Sequence, residues 1–172
     1  MASCWRAFGG GQRSGADGAG AGSSGRPMTA LAYRVRRAAG ADELAAALEL
    51  RHEVFCVEQG VPEREERDGR DHQGLHLVAF GDGELLGTCR LVFVGSTVQL
   101  SRLAVRADVR RRGVATALLV EADRETRLGG ANRLVLHAQT YALPLYEAAG
   151  YRVRGRVFVE ADIEHVAMEK LL

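Results

Sequence analysis

The sequence predicts a mixed α/β fold. Its core is a mixed, mostly antiparallel twisted sheet with helices on both faces, in the order β-α-β-β-β-α-β-α-β-β. Three observations predict it. Turn signals at Asp82-Gly83 and near Ala161-Asp162 separate apolar runs and imply antiparallel hairpins. Strand–helix alternation in the second half implies at least one parallel pair. Apolar residues make up 47% of 172 residues, enough to build one core.

The elements follow in order. Residues 32–37 form a short strand that Gly40 ends, and Asp42 is the N-cap expected for the next helix. Leu44, Leu48, Leu50, Val54 and Val57 recur at helical spacing until Gly60 and Pro62 stop them. Residues 62–74 form a charged loop. Strands over 75–80 and 84–94 flank Asp82-Gly83, where both positions tolerate positive φ. In the strand over 98–105, Val98 and Leu100 share one phase and Leu103 and Val105 the other. One inserted residue, a β-bulge, reconciles them. A helix runs from Gly113 to about Leu128 with Val114, Leu118 and Ala122 on its apolar face, and Gly129-Gly130 ends it. Residues 134–138 form a strand. A brief helix follows, with Pro144 in its first turn and Gly150 beyond its end. Tyr151, Val153, Val157 and Val159 alternate as a strand, and 165–171 is the last.

Composition excludes several classes. Formal net charge is +1, and residues 28–172 hold 20 basic and 21 acidic side chains, so no domain-wide basic footprint points to nucleic acid. No stretch approaches the roughly 20 apolar residues that span a membrane. Cys4, Cys56 and Cys89 have no metal or redox spacing and suit a reducing, cytoplasmic setting. Residues 1–27 carry eight of the 21 glycines and no apolar periodicity. Residues 1–28 therefore read as a disordered extension and 29–172 as the folded domain. The extension has no continuous apolar region of the secretory kind, and Met28 is an alternative start.

The segment that carries chemistry is Arg110-Arg111-Arg112-Gly113-Val114-Ala115-Thr116. A helix N-terminus offers unpaired N–H groups and about half a positive charge. Gly113 lets an anion approach the backbone, Ala115 keeps the first turn small, and the arginines add charge. No Lys-Ser/Thr follows the glycine, so this is not a Walker A loop. By itself it is equally an ordinary helix start with exposed arginines.

Context narrows it. The pattern R-x-x-G-x-A, met by Arg110, Gly113 and Ala115, follows a bulged strand. Leu145-Tyr146-Glu147-Ala148-Ala149-Gly150-Tyr151 lies downstream. With this element order, residues 30–172 resemble the GNAT superfamily of N-acetyltransferases. A longer signature resembles its ElaA-type subfamily. It comprises Arg51 to Gln59, Pro62, Asp68-Gly69, Asp71, His76-Leu77, Leu136-His137-Ala138-Gln139 and His165. The resemblance implies acetyl-CoA as co-substrate and an amine acceptor, and leaves a homodimer open. Leu103, Ala104 and Val105 would hold the pantetheine arm. Arg110, Arg111, Arg112, Gly113, Val114, Ala115 and Thr116 would hold the pyrophosphate, with Gln139 and Tyr146 also at the cofactor.

The resemblance also implies direct transfer in a ternary complex. An amine of pKa about 10.4 costs about 4–5 kcal/mol to deprotonate at pH 7. The departing thiolate needs a proton, and a phenol of pKa about 10 suits that task, which falls to Tyr146. Many GNAT enzymes carry a carboxylate on the strand before the motif, but Val98-Gln99-Leu100-Ser101-Arg102 has none. Glu58, Asp68, Asp71, His76 and His165 are the candidate acceptor-site groups. Glu58 is the favoured acid, since Arg51, Phe55 and Glu58 fall on one face of a regular helix. Three alternatives stay open: a GNAT fold that binds acyl-CoA without turnover, an enzyme similar to acyl-homoserine lactone synthases, and an Arg-rich nucleic-acid module.

Overall fold

Among the residues that the computed structural model describes, 31–172, seven strands join one sheet. The expectation for residues 1–28 lies outside them. The strands are β1 (Arg34–Arg37), β2 (Leu75–Gly81), β3 (Glu84–Val94), β4 (Thr97–Val105), β5 (Arg133–Gln139), β6 (Arg152–Glu160) and β7 (Ile163–Leu171). Their spatial order is β1-β2-β3-β4-β5-β7-β6, and only β4–β5 is parallel. The helices are α1 (Gly40–Arg51), α2 (Glu63–Glu66), α3 (Val114–Leu128) and α4 (Leu143–Ala148). The mixed, mostly antiparallel sheet is the expected one. The segment 62–74 is more structured than a loop, since α2 and a 3-10 turn at Asp71–Gln73 lie within it.

Helices cover both faces. On one face, Val114, Leu118, Leu119 and Ala122 of α3 and Tyr146 of α4 pack against Leu77, Cys89, Leu91, Leu134, Leu136 and Met168. Gly87 lets α3 come close: a Cβ there would lie 2.9 Å from Val114 Cγ1 and 3.1 Å from Leu118 Cδ1. This contact seats the first turns of α3 over β3, next to β4. On the other face Leu50 and Val54 pack against Ala104. Leu103 and Val105, its neighbours in sequence, join the α3 side.

Two local expectations change. Ala39, not Asp42, occupies the N-cap of α1, and its N–H donates to Glu43 Oε2 at 2.6 Å. After Arg51 the helix widens into π-type turns over His52–Glu58. A shift from i→i−4 to i→i−5 bonding rotates the later side chains. Val54 is therefore buried, while Val57 is 69% exposed despite the helical spacing. The Asp82-Gly83 and Ala161-Asp162 turns have positive φ at both positions, as the hairpins require. β6 lies at the sheet edge, so Val153, Val157 and Val159 alternate but remain largely exposed.

Candidate functional site

The parallel pair β4–β5 is registered only at Thr97↔Arg133, Val98↔Leu134 and Gln99↔Val135. Beyond Gln99 the strands part, and among the described residues the β5-facing edge of β4 from Leu100 onward has no strand partner. The expected bulge lies in this stretch. Across β3, Arg90 pairs with Ser101 and Thr88 with Ala104, so β4 carries one extra residue. Arg102 takes a left-handed φ of 57° there. Val98, Leu100, Leu103 and Val105 consequently all join the α3-side core, which resolves the phase break.

β4 leads through a 3-10 turn (Ala107–Val109) into Arg110–Gly113 and α3. Arg111 and Gly113 have φ of 62° and 85°. Left-handed residues alternating in a turn gather backbone N–H groups into an anion-binding concavity. Gly113 is the N-cap of α3, and no side chain caps the helix, which leaves its first N–H groups for a ligand. Among the described residues, a Cβ on Gly113 would meet only Tyr33 Oη, at 3.2 Å. Val114 is buried and anchors the helix, while Arg110, Arg111, Arg112 and Gly113 are exposed and Ala115 and Thr116 lie in the first turn.

Two contacts reach this region from the end of the π-type segment. Arg110 Nη2 donates to Glu58 Oε2 at 2.6 Å, and its Nε to Val105 O at 3.0 Å. Gln139 Nε2, at the end of β5, donates to Gln59 Oε1 at 3.0 Å. Tyr146 is buried against Tyr151 with ring centroids 5.8 Å apart. Burial pushes its phenol well above the usual range. It therefore stays protonated at neutral pH.

The structure sorts the candidate acceptor-site groups into two sets. Glu58 stands beside the Arg110–Gly113 turn, half-exposed and paired with Arg110. It does not share a face with Arg51, because the π-type turns rotate it away and Arg51 is fully buried. Asp68, Asp71 and His76 are brought together elsewhere, beneath α1. Arg51 Nε donates to Glu66 Oε1 and its Nη1 to Asp71 Oδ1, both at 2.6 Å. Arg90 Nη1 and Nη2 donate to the two oxygens of Asp68 at 2.7 and 2.6 Å. His76 Nε2 lies 3.0 Å from Asp71 O. The hydrogen bonds of Arg90 hold the Asp68 carboxyl well below the usual range. Burial works against the charge of Asp71, but Arg51 and Arg90 outweigh it and lower its pKa. Burial lowers the pKa of His76 against the opposing hydrogen bond and charge of Asp71, and Arg51 and Arg90 add to the lowering. These acids are counter-ions of buried arginines. His165 sits apart, opposite Gln139 across β5–β7, with Nδ1 2.9 Å from Ile163 O and its ring stacked on Phe158.

Sequence reasoning missed Arg90, Arg102 and Glu66. Arg90 carried a signal: it stands inside the apolar run Leu85–Val94, where a charge needs a buried partner.

An open parallel strand pair leads into a glycine-led helix start that can hold an anion. The model of the acetyltransferase (GNAT) domain matches residues 36–172. The chain belongs to the GNAT acetyltransferase family. It is similar to the uncharacterized N-acetyltransferase YjcF of Bacillus subtilis, with 33% identity over 130 residues, 75% of this chain and 93% of the relative. Escherichia coli ElaA has the same fold, with a TM-score of 0.71 at 22% identity over 81% of this chain and 99% of that one. So does a Bacillus subtilis acetyltransferase solved with CoA, with a TM-score of 0.63 at 19% identity over 82% and 99%. Among the described residues, no helix is long and apolar enough to cross a membrane.

Proposed function

We propose that this chain moves an acetyl group from acetyl-CoA to a primary amine by direct attack in a ternary complex. One arrangement carries the reading: the unpaired edge of β4 leads from the bulge into the Gly113 turn. An extended arm could pair with that edge while its diphosphate rests on the helix start. The CoA bound to the Bacillus subtilis neighbour supports this.

Acetyl-CoA supplies an acetyl thioester and a thiol leaving group. The chain's residues divide the remaining work. Leu103, Ala104 and Val105 offer backbone groups along the opening. Arg110 to Thr116 hold the diphosphate through N–H groups and charge. Gln139 lines the β5 side of the opening. Tyr146 gives its proton to the departing sulfur. Burial raises the phenol pKa but raises the basicity of a thiolate in the same dry pocket as well, so the transfer stays matched. Glu58 is the acid placed to receive the amine. Its partner Arg110 also belongs to the diphosphate site, so cofactor binding would release the Glu58 carboxylate toward the acceptor. Asp68 and Asp71 serve as counter-ions of Arg51 and Arg90 beside His76, and His165 stands apart on β7. A cytoplasmic location fits the free thiols of Cys56 and Cys89.

The test is thiol release from acetyl-CoA across a panel of primary amines. Amine-dependent release with one amide formed per thiol is the expected result. Acetyl-CoA binding without release on any amine would favour the binding-only reading, which the lack of a carboxylate on β4 supports.

A further inference from the structure

The residues flanking the β4 bulge are fastened from one place. Arg102, the left-handed residue of the bulge, donates from Nε to Glu66 O at 3.0 Å and from Nη2 to Glu65 O at 2.7 Å. A third contact, Nη2 to Asp68 Oδ2, is 3.4 Å. Its guanidinium thus takes up carbonyls at the end of α2, which a four-residue helix leaves without intrahelical partners. Arg90, the last β3 residue in register before the shift, donates from Nε to Ser101 Oγ at 3.2 Å and holds both oxygens of Asp68. The same loop is anchored below by Arg51 on Glu66 and Asp71, where both Arg51 and Glu66 are fully buried. A chain of ion pairs therefore runs from the core of α1, through Glu66 and Asp68, to the two residues that set the bulge.

A non-glycine residue in the left-handed region persists only where its surroundings fix it. Here the surroundings are the loop carbonyls and Asp68. The bulge is also where β4 loses register with β3 and faces the opening toward β5. Its backbone donors have no strand partner on the β5 side.

We infer that Arg102 is a positioning residue, whose tether to the Glu65–Asp68 segment fixes the bulge so that the Leu103 backbone N–H is aimed at the carbonyl oxygen of the bound acyl group. Arg102 touches no substrate; it acts through the backbone it holds. This rests on the acetyltransferase reading and adds a role for the acidic segment: Glu65, Glu66 and Asp68 set the geometry of the carbonyl-binding donor from behind the strand. A preorganised donor of this kind stabilises the charge that builds on the oxygen during attack.

The test uses acetyl-CoA labelled with carbon-13 at the thioester carbonyl, and CoA as the probe that lacks this carbonyl. On binding to the full chain, the carbonyl resonance should move downfield, as a hydrogen-bonded carbonyl does. Acetyl-CoA should also bind more tightly than CoA. In Arg102→Gly the left-handed backbone is permitted but the tether is gone. The carbonyl resonance should then return toward its free position. The acetyl-CoA preference should fall about two- to tenfold, the range one neutral hydrogen bond spans, while CoA affinity stays unchanged. If Arg102→Gly fails to fold, Asp68→Asn weakens the same tether, and a partial loss of the shift is expected. Retention of the full shift in a folded variant would overturn the inference. A wild-type complex with no downfield shift would overturn it as well. Failure of the wild-type chain to bind acetyl-CoA or CoA would instead overturn the acetyltransferase reading on which it stands.

Discussion

Two groups of arginines lie close in this fold and behave in opposite ways. Arg51, at the end of α1, and Arg90, on β3, are buried, and their charges are matched by Glu66, Asp68 and Asp71. Arg110 to Arg112 are exposed around a turn whose backbone N–H groups no side chain caps. A buried charge needs a fixed partner in its own chain, because desolvation is costly. An exposed arginine beside a helix start can exchange its partner for a ligand. The first group therefore builds the scaffold, and the second is the one we propose for the cofactor.

The largest expected effect breaks the buried group. Arg51→Ala takes the close cation from buried Glu66 and one of two cations from Asp71. It should lower unfolding free energy by about 3–5 kcal/mol, measured by urea denaturation. Tyr146→Phe should instead leave stability and acetyl-CoA affinity nearly unchanged. It should slow amine acetylation by about 10²–10⁴-fold, the usual span for a general acid, as single-turnover rates would show. Unchanged turnover on a confirmed amine would remove Tyr146 from the acid role.

Arg110→Ala tests the exposed group. Its pairing with Glu58 is partly solvated, so stability should change by less than about 1 kcal/mol. Acetyl-CoA affinity, read by calorimetry, should fall about 10- to 100-fold, the worth of a hydrogen bond to a charged group. Gly113→Ala places a Cβ on a residue at φ 85°, which costs about 1–2 kcal/mol of stability and distorts the turn. The smallest effect is on pH dependence. His76 has a lowered pKa in the folded chain, so its contribution is present above its ordinary value of 6.5 and is lost as pH falls below it. Asp68 and Asp71 are lowered too, and their contributions disappear only as pH drops through the ordinary value of 3.8 and below. Stability should therefore decline in two acid steps. Arg51→Ala should blunt the Asp71 part of the second.

The exposed group was the more legible of the two. The glycine at the head of α3, the apolar spacing of Val114, Leu118 and Ala122, and the phase break in β4 are local patterns, and each appears in the structure. The order of the strands and main helices along the chain and both hairpin turns followed from the same local rules. The acidic residues were harder. Periodicity put Arg51 and Glu58 together, but the π-type turns between them change the helical period without a clear mark in the sequence. Asp68 and Asp71 looked like ligands for an amine because a charge run shows no partners. Asp68 finds Arg90 and Arg102, 22 and 34 residues later on strands, and Asp71 finds Arg51, 20 residues earlier, and Arg90, 19 later. Long-range pairing of this kind depends on strand register, which no short window of sequence contains.

The central claim is that the Gly113 turn and the β4–β5 opening receive acetyl-CoA. The most direct test is an isothermal titration of the full chain with acetyl-CoA at low and high salt. The account predicts saturable binding, weakened by salt because the diphosphate sits among screened arginine charges. Absence of binding at millimolar acetyl-CoA, in a chain shown to be folded, would contradict it.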